Sequence, residues 1–112
     1  MNVSYEQIGH LSVTIPAGTC QAGQVCKVGT DGKAASCSAG DRFCGVAEVI
    51  RGDYAGVQIH GFAGVSYTGT APTLGYVNLS ANGSGGVKVD SSGVSYLALE
   101  VDTAAKTVTI EL

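Results

Sequence analysis

Apolar and polar residues alternate with a period of two along most of the chain, and glycine- and serine-rich segments separate the alternating stretches. Successive side chains of a β-strand point to opposite faces, so this alternation predicts half-buried strands. The segments with a strand pattern are residues 11–15, 24–28, 33–37, 43–50, 55–62, 75–79, 86–90, 96–101 and 107–112. Because turn signals separate closely spaced strands, we expect an all-β fold, a compact small barrel or sandwich of about eight short strands.

Helical patterns are short. The segment SAGDRFCG (38–45) favours a short helix or a 3₁₀ turn, because Ser38 or Asp41 is placed to cap it. No segment is long enough to be a linker between domains, and no repeat of fixed period is visible. The sequence therefore predicts little helix, an N-terminal arm and first strand over residues 1–15, and a single β domain over residues 16–112.

The C-terminal segments YLALEV and TVTIEL show the clearest alternation, on either side of a turn from Asp102 to Lys106. The predicted apolar faces are Leu97, Leu99 and Val101 on the first strand, and Val108, Ile110 and Leu112 on the second. Cross-strand contacts between such faces stabilise a sheet. We therefore expect this hairpin to be a core element.

A second hairpin is predicted around Thr30-Asp31-Gly32, because Asp-Gly tolerates the positive φ that a tight turn requires. With Asp31 and Gly32 as a two-residue turn, Cys26 and Cys37 lie directly opposite each other. A disulfide there is sterically conceivable, although the two cysteines would occupy a hydrogen-bonded pair, where the strands are further apart.

The tripeptide Arg51-Gly52-Asp53 matches an adhesion motif and interrupts two strand patterns. A glycine flanked by polar residues is typical of a turn. Tripeptides also recur by chance, so we interpret this one as a turn and expect it to be inert in adhesion.

Candidate catalytic and metal-binding residues are few. His60 and Gln58 share the polar face of an alternating strand whose other face carries Val57 and Ile59, and His10 belongs to a separate N-terminal segment. Two isolated histidines without ligand spacing do not predict a metal site. No Gly-x-Ser-x-Gly elbow and no phosphate-binding loop occurs. We therefore expect no enzyme activity, no cofactor and no metal.

Charge narrows the classes of partner. Charged residues make up 13% of the chain, the net charge is −3, and the six Lys and Arg residues are scattered singly. A nucleic-acid-binding protein concentrates such residues in a basic patch, so we expect no nucleic-acid partner.

No stretch reaches the roughly 18 apolar residues of a membrane-spanning helix. The first residues also lack a secretory signal pattern, which predicts synthesis in a cytosol.

The four cysteines, Cys20, Cys26, Cys37 and Cys44, contain no Cys-x-x-Cys pair, so a zinc ribbon is not indicated. Thiols in a cytosolic protein stay reduced as a rule. We interpret all four as free thiols that act as small buried hydrophobic residues.

From about residue 43 onwards, the order of motifs resembles that of small phage head proteins. The segments that carry the resemblance are CGVAEVI (44–50), GVQIHGFAGVSY (56–67), GTAPTLGYVNLSANGSGGVKV (69–89) and YLALEVDTAAKTVTIEL (96–112). The pattern is similar to the capsid-decoration or head-stabilising proteins of tailed bacteriophages, including prophage-encoded versions. It covers about two-thirds of the chain. The four cysteines are not part of the family pattern.

The resemblance implies a structural virion protein that is made in the host cytoplasm and binds the major capsid protein lattice on the capsid exterior, as a trimer and without cofactors. The polar start of the chain buries little apolar area, which does not offset the cost of ordering it. We expect residues 1 to about 10 to be mobile in the free protein and to order against a neighbouring subunit or the shell. The predicted contact residues are Asn2, Val3, Ser4, Tyr5, Glu6, Gln7 and Ile8.

Two alternative functions remain open from the sequence. A host- or carbohydrate-binding adhesion module would need an exposed aromatic cluster, formed by Tyr5, Tyr54, Tyr67, Tyr76 and Tyr96. A small hydrolase or lyase would need a deep pocket with His10 or His60 beside a carboxylate.

Overall fold

The computed structural model describes residues 9–112 of the chain, in which strands are connected by turns and irregular loops. The ten strands are β1 (Leu11–Pro16), β2 (Val25–Val28), β3 (Ala34–Ser36), β4 (Gly45–Arg51), β5 (Tyr54–His60), β6 (Phe62–Ser66), β7 (Gly75–Ala81), β8 (Val87–Val89), β9 (Val94–Asp102) and β10 (Thr107–Glu111). No helix occurs within residues 9–112. The all-β prediction is therefore confirmed, with ten strands instead of about eight.

The prediction of a short helix or a 3₁₀ turn over residues 38–45 is wrong. Ser38 and Asp41 form a tight turn instead, in which the Asp41 amide donates to the Ser38 carbonyl oxygen at 3.0 Å. The Asp41 carboxylate accepts from the Ser38 amide at 2.9 Å. Asp41 therefore stabilises a turn by the same side-chain chemistry that would have capped a helix.

The ten strands form two antiparallel sheets that repeat one topology. The first sheet has the order β1-β5-β4-β2-β3 and the second has the order β6-β10-β9-β7-β8. Counted from its own first strand, each sheet therefore has the order 1-5-4-2-3. Each also carries a bulge at the equivalent place, at Glu48 in β4 and at Leu99 in β9. The sequence shows no matching repeat, because many different apolar residues satisfy the same strand pairing.

Each sheet curls until its two edge strands meet at one end. Ala17, directly after β1, forms a parallel bridge with Ala34 at the start of β3. Tyr67, directly after β6, forms the equivalent bridge with Val87 at the start of β8. We call the resulting partly closed sheets the first barrel (residues 11–60) and the second barrel (residues 62–111).

Two apolar cores fill the barrels. The core of the first barrel is small, with Cys26, Ala47 and Val57 fully buried at its centre. The second core is larger, and its fully buried members include Leu79 and Ile110. Four residues of the first half of the chain belong to the second core: Val25, Cys37, Phe43 and Val46. The first barrel therefore covers part of the second core with its outer surface.

The contact between the barrels includes an aromatic stack and main-chain hydrogen bonds. The rings of Phe43 and Tyr96 stack with centroids 4.9 Å apart and an interplanar angle of 10°. The Val25 amide donates to the Gly85 carbonyl oxygen at 3.0 Å. The Ala81 amide donates to the Asp41 carbonyl oxygen, also at 3.0 Å. These bonds fix the orientation of one barrel on the other.

The prediction that Leu97, Leu99 and Val101 form the apolar face of β9 is wrong for Leu97 and confirmed for Val101. Tyr96 and Ala98 point into the core, whereas Leu97 is half-buried and pairs with the exposed Tyr76 of β7. The cause is the bulge at Leu99, because one extra residue in a strand switches the faces of the residues beyond it. Val101 therefore packs against the core as predicted.

The predicted face of β10 is confirmed. Val108 and Ile110 are fully buried, and Leu112 packs against the same core.

The β2–β3 hairpin also differs from the prediction. Gly29 donates its amide to the Lys33 carbonyl oxygen at 2.9 Å, so the turn contains Thr30, Asp31 and Gly32 instead of two residues. The partner of Cys26 is consequently Ser36 and not Cys37. A register shift of one residue moves a side chain to the opposite face. Cys26 therefore lies in the first core and Cys37 in the second.

The segment predicted as one strand over residues 55–62 divides at Gly61, which has a φ of +96°. The chain passes there from the first barrel to the second. His60 is exposed as predicted, but Gln58 is buried, which corrects its assignment to a solvent-facing side. Its amide nitrogen donates to the His60 and Phe62 carbonyl oxygens at 3.1 and 2.9 Å, because the main chain changes direction around it.

Candidate functional site

The predicted contact residues, Asn2, Val3, Ser4, Tyr5, Glu6, Gln7 and Ile8, lie outside the described residues. The described chain begins at Gly9 and His10, two residues before β1. A Cβ atom on Gly61 would lie 3.0 Å from the Cα atom of His10. His10 therefore lies beside the connection between the two barrels.

His10 belongs to a polar cluster with Ser12 and Glu48. Its Nε2 atom lies 3.0 Å from the Ser12 hydroxyl oxygen and 3.4 Å from Oε1 of Glu48. The Ser12 hydroxyl also donates directly to Glu48. The bulge in β4 places Glu48 here, because it turns this residue out of the regular alternation.

A cavity of about 420 Å³ adjoins this cluster and extends between the barrels to Gln58 and Phe62. His10 therefore lies beside a carboxylate, which is one of the two features that the hydrolase alternative requires, but the cavity is open and not the deep pocket that is the other. The hydrogen-bond order differs from that of a serine nucleophile, which needs the imidazole between the hydroxyl and the carboxylate. Here Ser12 and Glu48 both approach the same imidazole nitrogen, and the buried Nδ1 atom of His10 has no partner.

His60 lies in a second cavity of about 420 Å³, together with Arg42, Cys44 and Tyr96. Neither His10 nor His60 belongs to a ligand cluster, and no group of three or more His, Cys, Asp or Glu residues within the described chain is arranged to hold a metal ion.

Cys44 is the exposed member of a group of three thiols. Its amide donates to the Cys26 carbonyl oxygen at 2.8 Å, and the Cys26 thiol hydrogen-bonds to its sulfur. Cys26 in turn contacts the thiol of Cys20. The prediction of small buried residues is confirmed for Cys20, Cys26 and Cys37, whereas for Cys44 it is wrong.

The pKa values of these thiols diverge. The hydrogen bond from Cys26, with smaller contributions from the amides of Cys44 and Val28, lowers the pKa of Cys44 to about 7. The same hydrogen bond, together with burial, raises the pKa of Cys26 well above its usual value. Cys44 is consequently the acidic thiol of the pair, and Cys26 keeps its proton and donates it. Composition and spacing gave no signal for this pair, because the contact depends on the β2–β4 register.

Exposed apolar side chains lie on the outer faces of both barrels. In the second barrel, Leu74, directly before β7, and Tyr76, in β7, are 66% and 77% exposed, and the half-buried Leu97 lies beside Tyr76 as its strand partner. On the first barrel, Tyr54 is 59% exposed and Val49 lies over Gly56. A group of neighbouring exposed apolar side chains is typical of a contact surface.

The four tyrosines within the described residues do not form the exposed cluster that would favour a carbohydrate-binding module. Tyr67 and Tyr96 are buried in the second core, and Tyr54 and Tyr76 lie on different barrels. Tyr5 lies outside the described residues.

The turn interpretation of Arg51-Gly52-Asp53 is confirmed. Arg51 pairs with Tyr54 across β4 and β5, so Gly52 and Asp53 form a two-residue hairpin turn. Gly52 has the positive φ of +56° that such a turn favours. The Asp53 carbonyl oxygen accepts the Ala17 amide at 2.8 Å, which ties the turn to the end of β1.

The fold defines an all-β protein built from two five-stranded barrels of one topology. Comparison of the chain with family models, with curated proteins and with solved structures found no match. No helix in the described part of the chain is long and apolar enough to cross a membrane.

Proposed function

We propose that this protein is a structural, non-enzymatic component of a phage virion that decorates and stabilises the capsid exterior. In this proposal it is made in the host cytoplasm and binds the major capsid protein lattice as a trimer, without a cofactor. The observation that carries the proposal is the exposed apolar surface of Leu74 and Tyr76 on the second barrel, with the half-buried Leu97 beside Tyr76. A surface of this kind loses contact with water when a subunit docks on a protein shell.

The place where the described chain begins supports the same function. Gly9 and His10 directly precede β1, which is an edge strand of the first sheet. An extended arm that adds to the edge of a neighbouring sheet gains main-chain hydrogen bonds without special side chains. In a trimer, three such arms act together, which increases the avidity for a lattice of repeated sites.

The test is co-sedimentation of the purified protein with capsids of the phage or prophage that encodes it, followed by electron-microscopy reconstruction of the particles. We expect density for the protein on the shell, and loss of most binding for Tyr76→Ser. The matched control is Tyr54→Ser, which removes a similarly exposed tyrosine from the other barrel. Full attachment of Tyr76→Ser together with loss for Tyr54→Ser would contradict the choice of face. Absence of the wild-type protein from the particles would contradict the function itself.

A second candidate function, a small hydrolase, rests on one observation: His10 and Glu48 line a cavity, and the Ser12 hydroxyl oxygen lies 3.0 Å from Nε2 of His10. The test is hydrolysis of p-nitrophenyl acetate by the wild-type protein and by Ser12→Ala. Turnover above the buffer rate that disappears in Ser12→Ala would establish the hydrolase. Equal rates for the two proteins would exclude Ser12 as a nucleophile.

A further inference from the structure

The thiols of Cys26 and Cys44 face each other where β2 meets the start of β4. Cys26 pairs with Gly45, the residue after Cys44, and the Cys44 amide donates to the Cys26 carbonyl oxygen at 2.8 Å. The main-chain bond places the two residues side by side, and the opposite pKa directions of the two thiols fit a hydrogen bond from Cys26 to Cys44. A disulfide between them requires a sulfur–sulfur distance of about 2.0 Å.

The two thiols differ in access. Cys44 is exposed and lines a cavity of about 420 Å³ with Arg42 and His60, whereas Cys26 is fully buried behind it. A reagent in the cavity therefore meets Cys44 first. The Gly29 amide donates to the Lys33 carbonyl oxygen, on the β3 side of the hairpin. The amide of the preceding residue, Val28, therefore points to the opposite side of β2, away from β3. It is one of the donors that stabilise a negative charge on the Cys44 sulfur.

We propose that Cys44 is a thiol-exchange site for small disulfides that carry carboxylates, and that Cys26 resolves the mixed disulfide. The Arg42 guanidinium in the cavity supplies the charge that attracts a carboxylate. The site is independent of the proposed capsid function, since it lies in the first half of the chain and uses neither Leu74 nor Tyr76.

The exchange proceeds in two balanced steps. The Cys44 thiolate attacks one sulfur of the small disulfide, which forms a mixed disulfide and releases one thiolate. Cys26 then loses its proton to the released thiolate and attacks the Cys44 sulfur. The products are a Cys26–Cys44 disulfide and two molecules of reduced small thiol. The protein is thereby oxidised by two electrons, and the small disulfide is reduced by two.

The experiment treats the folded wild-type protein with oxidised glutathione at pH 7 and identifies the products by intact mass and peptide mapping. We expect loss of two hydrogen atoms, no retained glutathione and a Cys26–Cys44 linkage. Cys26→Ser should instead hold one glutathione on Cys44, and Cys44→Ser should not react. Cys37→Ser is the matched control, because Cys37 lies in the other core, and it should behave like the wild type. Circular dichroism establishes that each variant is folded.

A rate comparison tests the site without a substitution. At pH 7 about half of a thiol with a pKa near 7 is ionised, compared with a few per cent of an ordinary thiol, while its intrinsic nucleophilicity is lower. We therefore expect a limiting amount of iodoacetamide to label Cys44 before the other cysteines, about threefold faster than in the urea-unfolded chain. Glutathione retained by the wild type, a Cys20–Cys26 linkage, or labelling of Cys44 no faster than in urea would overturn the proposal.

Discussion

The side-chain amide of Gln58 donates a hydrogen bond of 2.9 Å to the carbonyl oxygen of Phe62, the first residue of the second barrel. The same nitrogen donates to the His60 carbonyl oxygen at 3.1 Å. Gly61 is the residue between His60 and Phe62, and its carbonyl oxygen accepts a hydrogen bond of 2.9 Å from the Leu112 amide. One buried side chain and the C-terminal residue therefore hold the connection between the barrels.

Gln58→Leu should lower the free energy of unfolding by about 1–3 kcal/mol, because it removes the hydrogen-bond donor to two carbonyl oxygens in a buried place. Thermal and urea unfolding followed by circular dichroism measure the change. Gln21→Leu is the control, since Gln21 is an exposed glutamine of the first barrel. It should stay within about 0.5 kcal/mol of the wild type. Equal effects of the two substitutions would show that the Gln58 bonds contribute nothing.

Ile110→Asp should prevent soluble folding, because it places an unpaired carboxylate in the centre of the second core, at a cost of more than about 4 kcal/mol. Leu97→Asp tests the bulge in β9, since Leu97 pairs with the exposed Tyr76 on the outer face. It should change the free energy of unfolding by about 1 kcal/mol or less. Soluble yield and melting temperature are the measurements. Loss of folding in Leu97→Asp would show that Leu97 points into the core, as the regular alternation in the sequence predicted.

The ion pair between Lys27 and Asp41 should make stability depend on pH in the acid range. The Lys27 ammonium at 2.6 Å and the Ser38 amide hold the pKa of Asp41 below its usual value of 3.8. A carboxyl group with a lowered pKa stabilises the folded state above its unfolded pKa, and this stabilisation is lost as the pH falls through the folded pKa. The free energy of unfolding should therefore decrease below about pH 4.

The measurement is urea unfolding between pH 2.5 and 7 for the wild type and Asp41→Asn. The variant should be less stable at pH 7 and should show a shallower decrease below about pH 4. Lys27→Met removes the partner and should make the acid decrease shallower as well. Parallel stability curves for the wild type and Asp41→Asn would show that the pair does not contribute.

Asp53→Glu should leave the fold and cell adhesion unchanged. The contact that Asp53 makes with the Ala17 amide uses its main-chain oxygen, so the added methylene does not affect it. Cell attachment to surfaces coated with the wild type or the variant is the measurement. A decrease in attachment for the variant would identify the tripeptide as a ligand and support the adhesion alternative.

Deletion of residues 2–8 should leave the β-fold intact and strongly reduce attachment to capsids. The deletion stops before His10, because this residue contacts Ser12 and Glu48 of the first barrel. Co-sedimentation with capsids and circular dichroism of the truncated protein are the two measurements. Undiminished attachment would show that the arm is not the anchor, and loss of the β spectrum would show that it belongs to the core.

Local pattern was sufficient for most of the strands. The alternation around Val108 and Ile110 and the turn at Gly52 appear in the structure as predicted, because each depends only on neighbouring residues in the chain. The burial of Gln58 and the acidity of Cys44 gave no local signal. Each depends on main-chain groups or a thiol contributed by another strand or by the connection between barrels.

The sequence by itself determined the all-β class, the positions of most strands and the residues of the C-terminal core strand. Only the tertiary structure decided the two registers that matter most here: the three-residue turn that separates Cys26 from Cys37, and the bulge that turns Leu97 outwards. A shift of one residue leaves the alternating pattern unchanged in the sequence but exchanges the two faces of the strand in space. The register is fixed by pairing with distant strands, and with it the position of the Cys26–Cys44 pair and of the surface around Tyr76.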